Sequence, residues 1–143
     1  MRYYSTGVRT TNGTTTQACL EIIAGASIGF RLVGIFGISL AAATASSFGL
    51  GRPAAKGVTP TTPLTLAGND KGLDSKATTA LAWGTSPTAP AKFYHRTNFT
   101  NVVGSDQGWP LSVGGIWVPP NETIVVWNIT ATGVSDISFT IWE

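Results

Sequence analysis

The sequence predicts an all-β protein: a single-domain antiparallel β-sandwich, jelly-roll-like. Three observations carry that prediction. The first is Gly25 to Leu40, GASIGFRLVGIFGISL, in which Ile28, Phe30, Leu32, Phe36, Ile38 and Leu40 are large and apolar while Gly29, Arg31, Gly37 and Ser39 fall between them. That period of two belongs to a strand with one buried face. The second is the cost of any helical alternative. Each of Gly25, Gly29, Gly34 and Gly37 would cost a helix about 1 kcal/mol relative to Ala. Arg31 would sit near the centre of a membrane span, where a charge costs at least about 2.5 kcal/mol. The third is composition. Charged residues make up 11% of the 143, about half the usual share, and Thr, Ser, Gly and Pro fill the deficit.

Taken in order, residues 1–16 form an N-terminal arm or first strand, ending in the hairpin signal Asn12-Gly13. Residues 17–143 form the sandwich. Gln17 to Ala24 alternates Cys19, Glu21 and Ile23 against Ala18, Leu20 and Ile22. Gly25-Ala26-Ser27 turns into the long strand. Ala41 to Ser47 is a run of small residues, and Phe48 to Pro53 is a short strand or bend. Residues 56–90 carry Pro60, Pro63, Pro87 and Pro90, many threonines and the charged turn Asn69-Asp70-Lys71-Gly72. That is too long for a plain connection and reads as an exposed excursion. Lys92 to Asn101 is a strand. Ile116-Trp117-Val118 leads into the turn Pro119-Pro120-Asn121-Glu122, and Thr123 to Thr130 is a β-branched strand. Ile137 to Trp142 alternates Ile137, Phe139 and Ile141 against Ser138, Thr140 and Trp142. The count is about eight strands, which fits two packed sheets.

Charge and cysteine usage narrow the function. A net charge of +2 with scattered basic residues implies neither nucleic acid nor an anionic membrane as partner. Cys19, the one cysteine, sits in an apolar strand and reads as a buried, inert thiol. The start MRYYSTGVRTT has no signal-peptide core, so the sequons at Asn12, Asn98, Asn121 and Asn128 carry no glycan meaning without a secretory route.

The chemistry-bearing residues do not assemble into an enzyme. His95 is the single histidine; a triad would need it beside Asp106 or another carboxylate, and no nucleophile elbow is present. Zinc needs three or four Cys or His ligands, and the chain has two such residues. Asn69, Asp70 and Asp74 do not match a calcium loop. Gly49-Leu50-Gly51-Arg52-Pro53-Ala54 matches a dinucleotide fingerprint as a string, but no helix can start there to meet a pyrophosphate. The reading is therefore non-enzymatic, with no catalytic residues, metal or cofactor. Trp117 and Trp127 alternate with aliphatic residues and read as core. Trp83 and Trp109 lie near loops and read as interface anchors or sugar platforms. Tyr3 and Tyr4 beside Arg2 read as a docking arm.

The pattern Phe48-Gly-Leu-Gly-Arg-Pro53, a Thr/Pro-rich stretch, Val118-Pro-Pro-Asn-Glu-Thr-Ile-Val-Val-Trp127 and a closing Trp142-Glu143 resembles small jelly-roll proteins of tailed bacteriophages that decorate, or cement, the capsid. The resemblance implies a homotrimer, made in the host cytoplasm and bound to the major capsid protein on the outside of the virion shell. It brings no catalytic residues. Capsid- or trimer-contact candidates are Arg2, Tyr3, Tyr4, Trp83 and Trp109. The alternative is a carbohydrate- or receptor-binding jelly-roll module of a phage fibre, its site built from Trp83, Trp109 and the acidic turn near Asp70.

Overall fold

The computed structural model describes residues 2–10, 16–61, 63–69, 72, 74–130 and 134–143. The expected turns at Asn12-Gly13 and Asp70-Lys71 lie outside the described residues. The described chain contains fourteen strands: β1 (Tyr3–Arg9), β2 (Ala18–Ile23), β3 (Phe30–Leu40), β4 (Ser46–Pro53), β5 (Val58–Pro60), β6 (Leu64–Thr65), β7 (Ala67–Gly68), β8 (Thr78–Ala80), β9 (Trp83–Thr85), β10 (Pro90–Phe99), β11 (Asp106–Pro110), β12 (Ile116–Val118), β13 (Thr123–Asn128) and β14 (Ser135–Trp142). Eight of them have five residues or more; of these, β11 was not expected from the sequence. The other six are two or three residues long, too short to show a period.

All pairings are antiparallel. The first sheet runs β11-β3-β14-β1-β7, with β12 also on β3; the second runs β10-β4-β13-β2-β8-β6; β5 and β9 form a separate ribbon. The core lies between the two six-stranded sheets. Leu20, Ile22, Phe48, Leu50, Ile124 and Val126 from the second sheet meet Phe30, Leu32, Ile35, Ile38, Phe139 and Ile141 from the first. Each such side chain contributes about 1.5–3 kcal/mol by leaving water. No helix among the described residues is long and apolar enough to cross a membrane.

The long strand β3 departs from simple alternation. Its pairing with β14 skips Phe36 and then Val33. Each skipped residue is a bulge that reverses which face the following residues present. The buried phase therefore passes from Phe30 and Leu32 to Ile35, then back to Ile38 and Leu40. Phe36, expected inside, is 59% exposed.

The described residues of 56–90, expected as an exposed excursion, remain largely exposed and carry short strands. β8 and β6 extend the second sheet, β7 extends the first, and Leu66, Ala77 and Ala80 are fully or almost fully buried. The β5–β9 ribbon covers the outer face of the second sheet, where Trp83 and Phe93 pack against Ala18, Val125 and Trp127. This second, smaller core explains why all six residues of β13 are buried. Residues 3–9 are a strand of the first sheet, between β14 and β7.

A buried carboxylate ties the cover down. Glu21 is fully buried. Its Oε1 accepts from Gly57 N at 3.1 Å and Thr123 Oγ1 at 2.8 Å, and its Oε2 accepts from Trp83 Nε1 at 2.5 Å. Gly57 is required by close approach: a Cβ there would lie 2.1 Å from the Trp83 ring.

Candidate binding face

Among the described residues, the first sheet has no such cover. Along β1, the residues Tyr3, Ser5, Gly7 and Arg9 alternate with the buried Tyr4 and Val8; along β14, Asp136, Ser138, Thr140 and Trp142 alternate with the buried Ile137, Phe139 and Ile141. Register places these outward residues in rows across the strands. At one end, Tyr3 pairs with Trp142, Trp142 with Arg31, and Arg31 with Trp117. Three aromatic side chains and one guanidinium thus form a single line across β1, β14, β3 and β12. The next rows are Ser5-Thr140-Gly34 and Gly7-Ser138-Gly37. The far end is charged, with Arg9 opposite Asp136.

The aromatic row is held firmly. The Tyr3 and Trp142 rings are 6.1 Å apart and 15° from parallel, and Arg31 Cζ lies 5.7 Å from the centre of the Trp117 ring, within cation–π range. Arg31 Nη1 donates to Gly114 O at 2.9 Å. The Trp117 ring lies against Gly29, where a Cβ would come within 2.7 Å of it. Arg52 Nη2 donates to the Trp117 carbonyl and its Nε to Tyr94 Oη at 3.0 Å. Tyr3 is 52% and Trp117 45% exposed. Trp142 Nε1 is buried and is the one such side-chain atom among the described residues without a hydrogen-bond partner.

Two clefts flank Trp142. One, of about 380 Å³, is lined by Ser27, Ile28, Arg31, Trp117, Trp142 and Glu143 among others. The second, of about 210 Å³, has Tyr3, Val33, Ser112, Val113 and Gly114 on its walls, again with Trp142. The Glu143 carboxylate is engaged from behind: Oε1 accepts from Ser75 Oγ at 2.7 Å and Ala77 N at 2.9 Å, and Oε2 from Lys76 N at 3.1 Å.

The residues singled out from the sequence fall elsewhere, with one exception. Tyr3 is in the row. Arg2 is exposed beside it, its backbone paired with Glu143. Tyr4 is buried, and Trp109 is only 3% exposed, so neither offers its side chain to a partner. Trp109 Nε1 donates to Thr97 Oγ1 at 2.6 Å, joining the first sheet to the second. Trp83 is half-buried with its indole N–H committed to Glu21. The sugar platform expected at Trp83 and Trp109 is therefore not formed, and Asp70 lies outside the described residues. Conversely Trp117, expected in the core, stands on the surface. β12 is three residues long, and alternation alone does not tell which face of so short a strand is covered.

The other chemical candidates are dispersed. His95 stacks on Trp109 at 6.2 Å, and no hydrogen bond links it to Asp106 among the described residues. Gly49 and Gly51 lie within strand β4, where no helix N-terminus follows. No group of three or more His, Cys, Asp or Glu that could hold a metal occurs among the described residues. Cys19 is buried and donates to Val126 O at 3.1 Å; loss of solvent pushes its thiol pKa up to about 12. What the bare face offers is binding through rings, a guanidinium and flanking hydroxyls. No family model, no curated protein and no solved structure matches the chain.

Proposed function

We propose that the chain is a non-enzymatic, jelly-roll-like capsid decoration protein of a tailed phage, bound as a homotrimer to the outer surface of the major capsid shell. The observation that carries this reading is the distribution of exposed apolar side chains on a protein with few charges. Phe36, 59% exposed, stands on the bare face of the first sheet, while Val58 and Leu64, 56% and 49% exposed, stand on the cover and edge of the second. Each of these side chains offers apolar contact area to a neighbour. A subunit that joins both its own copies and a shell needs such area on more than one side. With 11% charged residues, little repulsion opposes association. A protein that engages only the assembled shell stabilises it by mass action, and many copies on one lattice gain from multivalency.

The test is sedimentation of the purified protein, alone and with heads of the phage that encodes it. A trimer mass and saturable co-sedimentation are expected, with decorated heads surviving a higher temperature than bare ones. A monomer that does not bind heads, or bare heads as heat-resistant as decorated ones, would remove the role.

A further inference from the structure

We propose that the bare face of the first sheet is where copies of this chain join, with Phe36 of one copy seated in the hollow over Ser5, Gly7, Ser138 and Thr140 of the next. This assignment rests on the homotrimer reading and divides its two contacts. The bare face goes to the copies, and the side of Val58 and Leu64 is left to the shell.

The face divides into two unlike halves about its middle strand. In the order β11-β3-β14-β1-β7, β14 lies at the centre. On the β3 side three side chains project at successive levels. Arg31 stands in the aromatic row. Phe36 is 59% exposed, and its ring lies over Gly34, where a Cβ would come within 3.1 Å of it. Asp106, exposed on β11, sets its carboxylate over Gly37, 3.2 Å from where a Cβ would stand. On the β1 side the same levels carry different chemistry. Tyr3 is level with Arg31, and Arg9 is level with Ser39, the residue that Asp106 pairs with. Between Tyr3 and Arg9 lies an open hollow of about 500 Å³, floored by Ser5, Gly7, Ser138 and Thr140 among others, with Phe36 as its wall.

A rotation axis parallel to the strands keeps each level and turns the β3 half of one copy toward the β1 half of the next. Each projecting group then meets its complement. Arg31 meets the ring of Tyr3 as a cation over an aromatic face. Phe36 enters the hollow and leaves water. Asp106 meets Arg9, opposite in charge. Arg9 keeps Asp136 as its partner within the copy and, at 68% side-chain exposure, has room for a second carboxylate. The floor of the hollow is small and uncharged, so no charge has to be desolvated where the copies approach most closely. Contact of one half with the other half of a neighbour is heterologous, and such contacts close into rings, as a homotrimer requires. The match lies between two halves of one face, which favours a second copy over an unrelated partner. Area agrees. Four strands of about seven residues, ~4.8 Å apart and rising ~3.4 Å per residue, cover on the order of 500 Å² in plan, and side-chain relief adds to it. A specific interface takes roughly 600–1,000 Å² from each partner, so the face as a whole, and not the aromatic row alone, has the right size.

The experiment follows the mass of the purified full chain by sedimentation over a range of concentrations. Phe36→Glu should raise the concentration needed for half-assembly about tenfold or more. Phe36→Leu, which keeps an apolar side chain, should recover part of that loss. Ser138→Trp fills the hollow from its exposed floor and should weaken assembly as Phe36→Glu does. Asp106→Lys should weaken it at low salt, and about 1 M salt should remove most of that difference. Val103, 58% exposed in the turn between β10 and β11, is the control: Val103→Glu should leave the mass unchanged. Circular dichroism and melting curves confirm that each variant is folded. Wild-type mass in either Phe36→Glu or Ser138→Trp overturns the proposal. So does a Phe36→Glu chain that stays assembled and no longer sediments with phage heads, which would give the face to the shell. A wild-type chain that is monomeric at every concentration removes this contact and the trimer together, and its binding to heads then decides decoration separately. A dimer that depends on Phe36 would keep the seat of Phe36 and remove the trimer.

Discussion

The outer faces of the two sheets were built from similar parts and put to opposite uses. Each has a tryptophan beside a charged residue. On the second sheet Glu21 and Trp83 are sealed under the β5–β9 ribbon, and every polar atom of the carboxylate is matched: Oε1 takes two donors and Oε2 one. On the first sheet Arg31 lies in an open row between Trp142 and Trp117, its guanidinium only partly used among the described residues. The difference teaches how to separate a structural tie from a binding surface. A buried polar group must be satisfied internally or it destabilises the fold. A group left with unused donors at an accessible cleft is free to meet something from outside.

The comparison is broken most forcefully at Glu21. Glu21→Ala leaves the N–H groups of Trp83 and Gly57 and the hydroxyl of Thr123 without their acceptor. At about 1–3 kcal/mol for each unsatisfied buried group, the summed loss should be on the order of 3–5 kcal/mol, a large part of the 5–15 kcal/mol typical of a domain. Urea denaturation gives the value. A loss below about 1 kcal/mol would mean that water replaces the carboxylate freely and that the cover is looser than described. Gly57→Ala attacks the same tie by volume. With a Cβ 2.1 Å from the Trp83 ring, the ribbon must shift, and overpacking of this kind costs about 1–3 kcal/mol. On the bare face the expectation reverses. Trp117→Ala should change stability by no more than about 1 kcal/mol, because the ring is 45% exposed and its loss strands no hydrogen bond. An unfolding midpoint that falls as far as that of Glu21→Ala would make the row a second structural tie.

The same contrast explains what the sequence made legible. The all-β class and the two-sheet core follow from alternation within single strands: Ile137, Phe139 and Ile141 point inward as their spacing predicts, and Cys19 is buried as its neighbours imply. Phe36 was misplaced because the bulges at Val33 and Phe36 arise from pairing with β14 and β11, which no local pattern encodes. The cover over the second sheet is made of strands of two and three residues rich in Thr and Pro, which carry no period and resemble a loop. The candidate site was the least visible. Tyr3, Arg31, Trp117 and Trp142 come from four distant segments and meet only through register. Trp83 and Trp109 drew attention because Gly and Pro stand beside them, but a neighbouring turn says nothing about whether a ring points into solvent. Both indoles instead had polar partners, Glu21 and Thr97, far away in sequence.

The smallest effect is expected at the far end of the bare face, where Arg9 and Asp136 form a two-point ion pair with both distances 2.8 Å. The Arg9 hydrogen bonds hold the Asp136 carboxyl below its ordinary pKa, opposed in part by desolvation; the same pair raises Arg9. A carboxyl depressed in the folded state contributes stability above its unfolded pKa, near 3.9, and loses that contribution as pH falls through the lower folded value. Asp136→Asn should therefore lower the unfolding midpoint slightly at neutral pH and not at all once the wild-type carboxyl is protonated. Because the side chains are 68% and 47% exposed, about 1 M salt should erase the difference as well. A difference that persists in acid or in salt would show that Asp136 acts through packing in its row and not through its charge. The polar end of the face would then be as much a structural tie as the carboxylate beneath the ribbon.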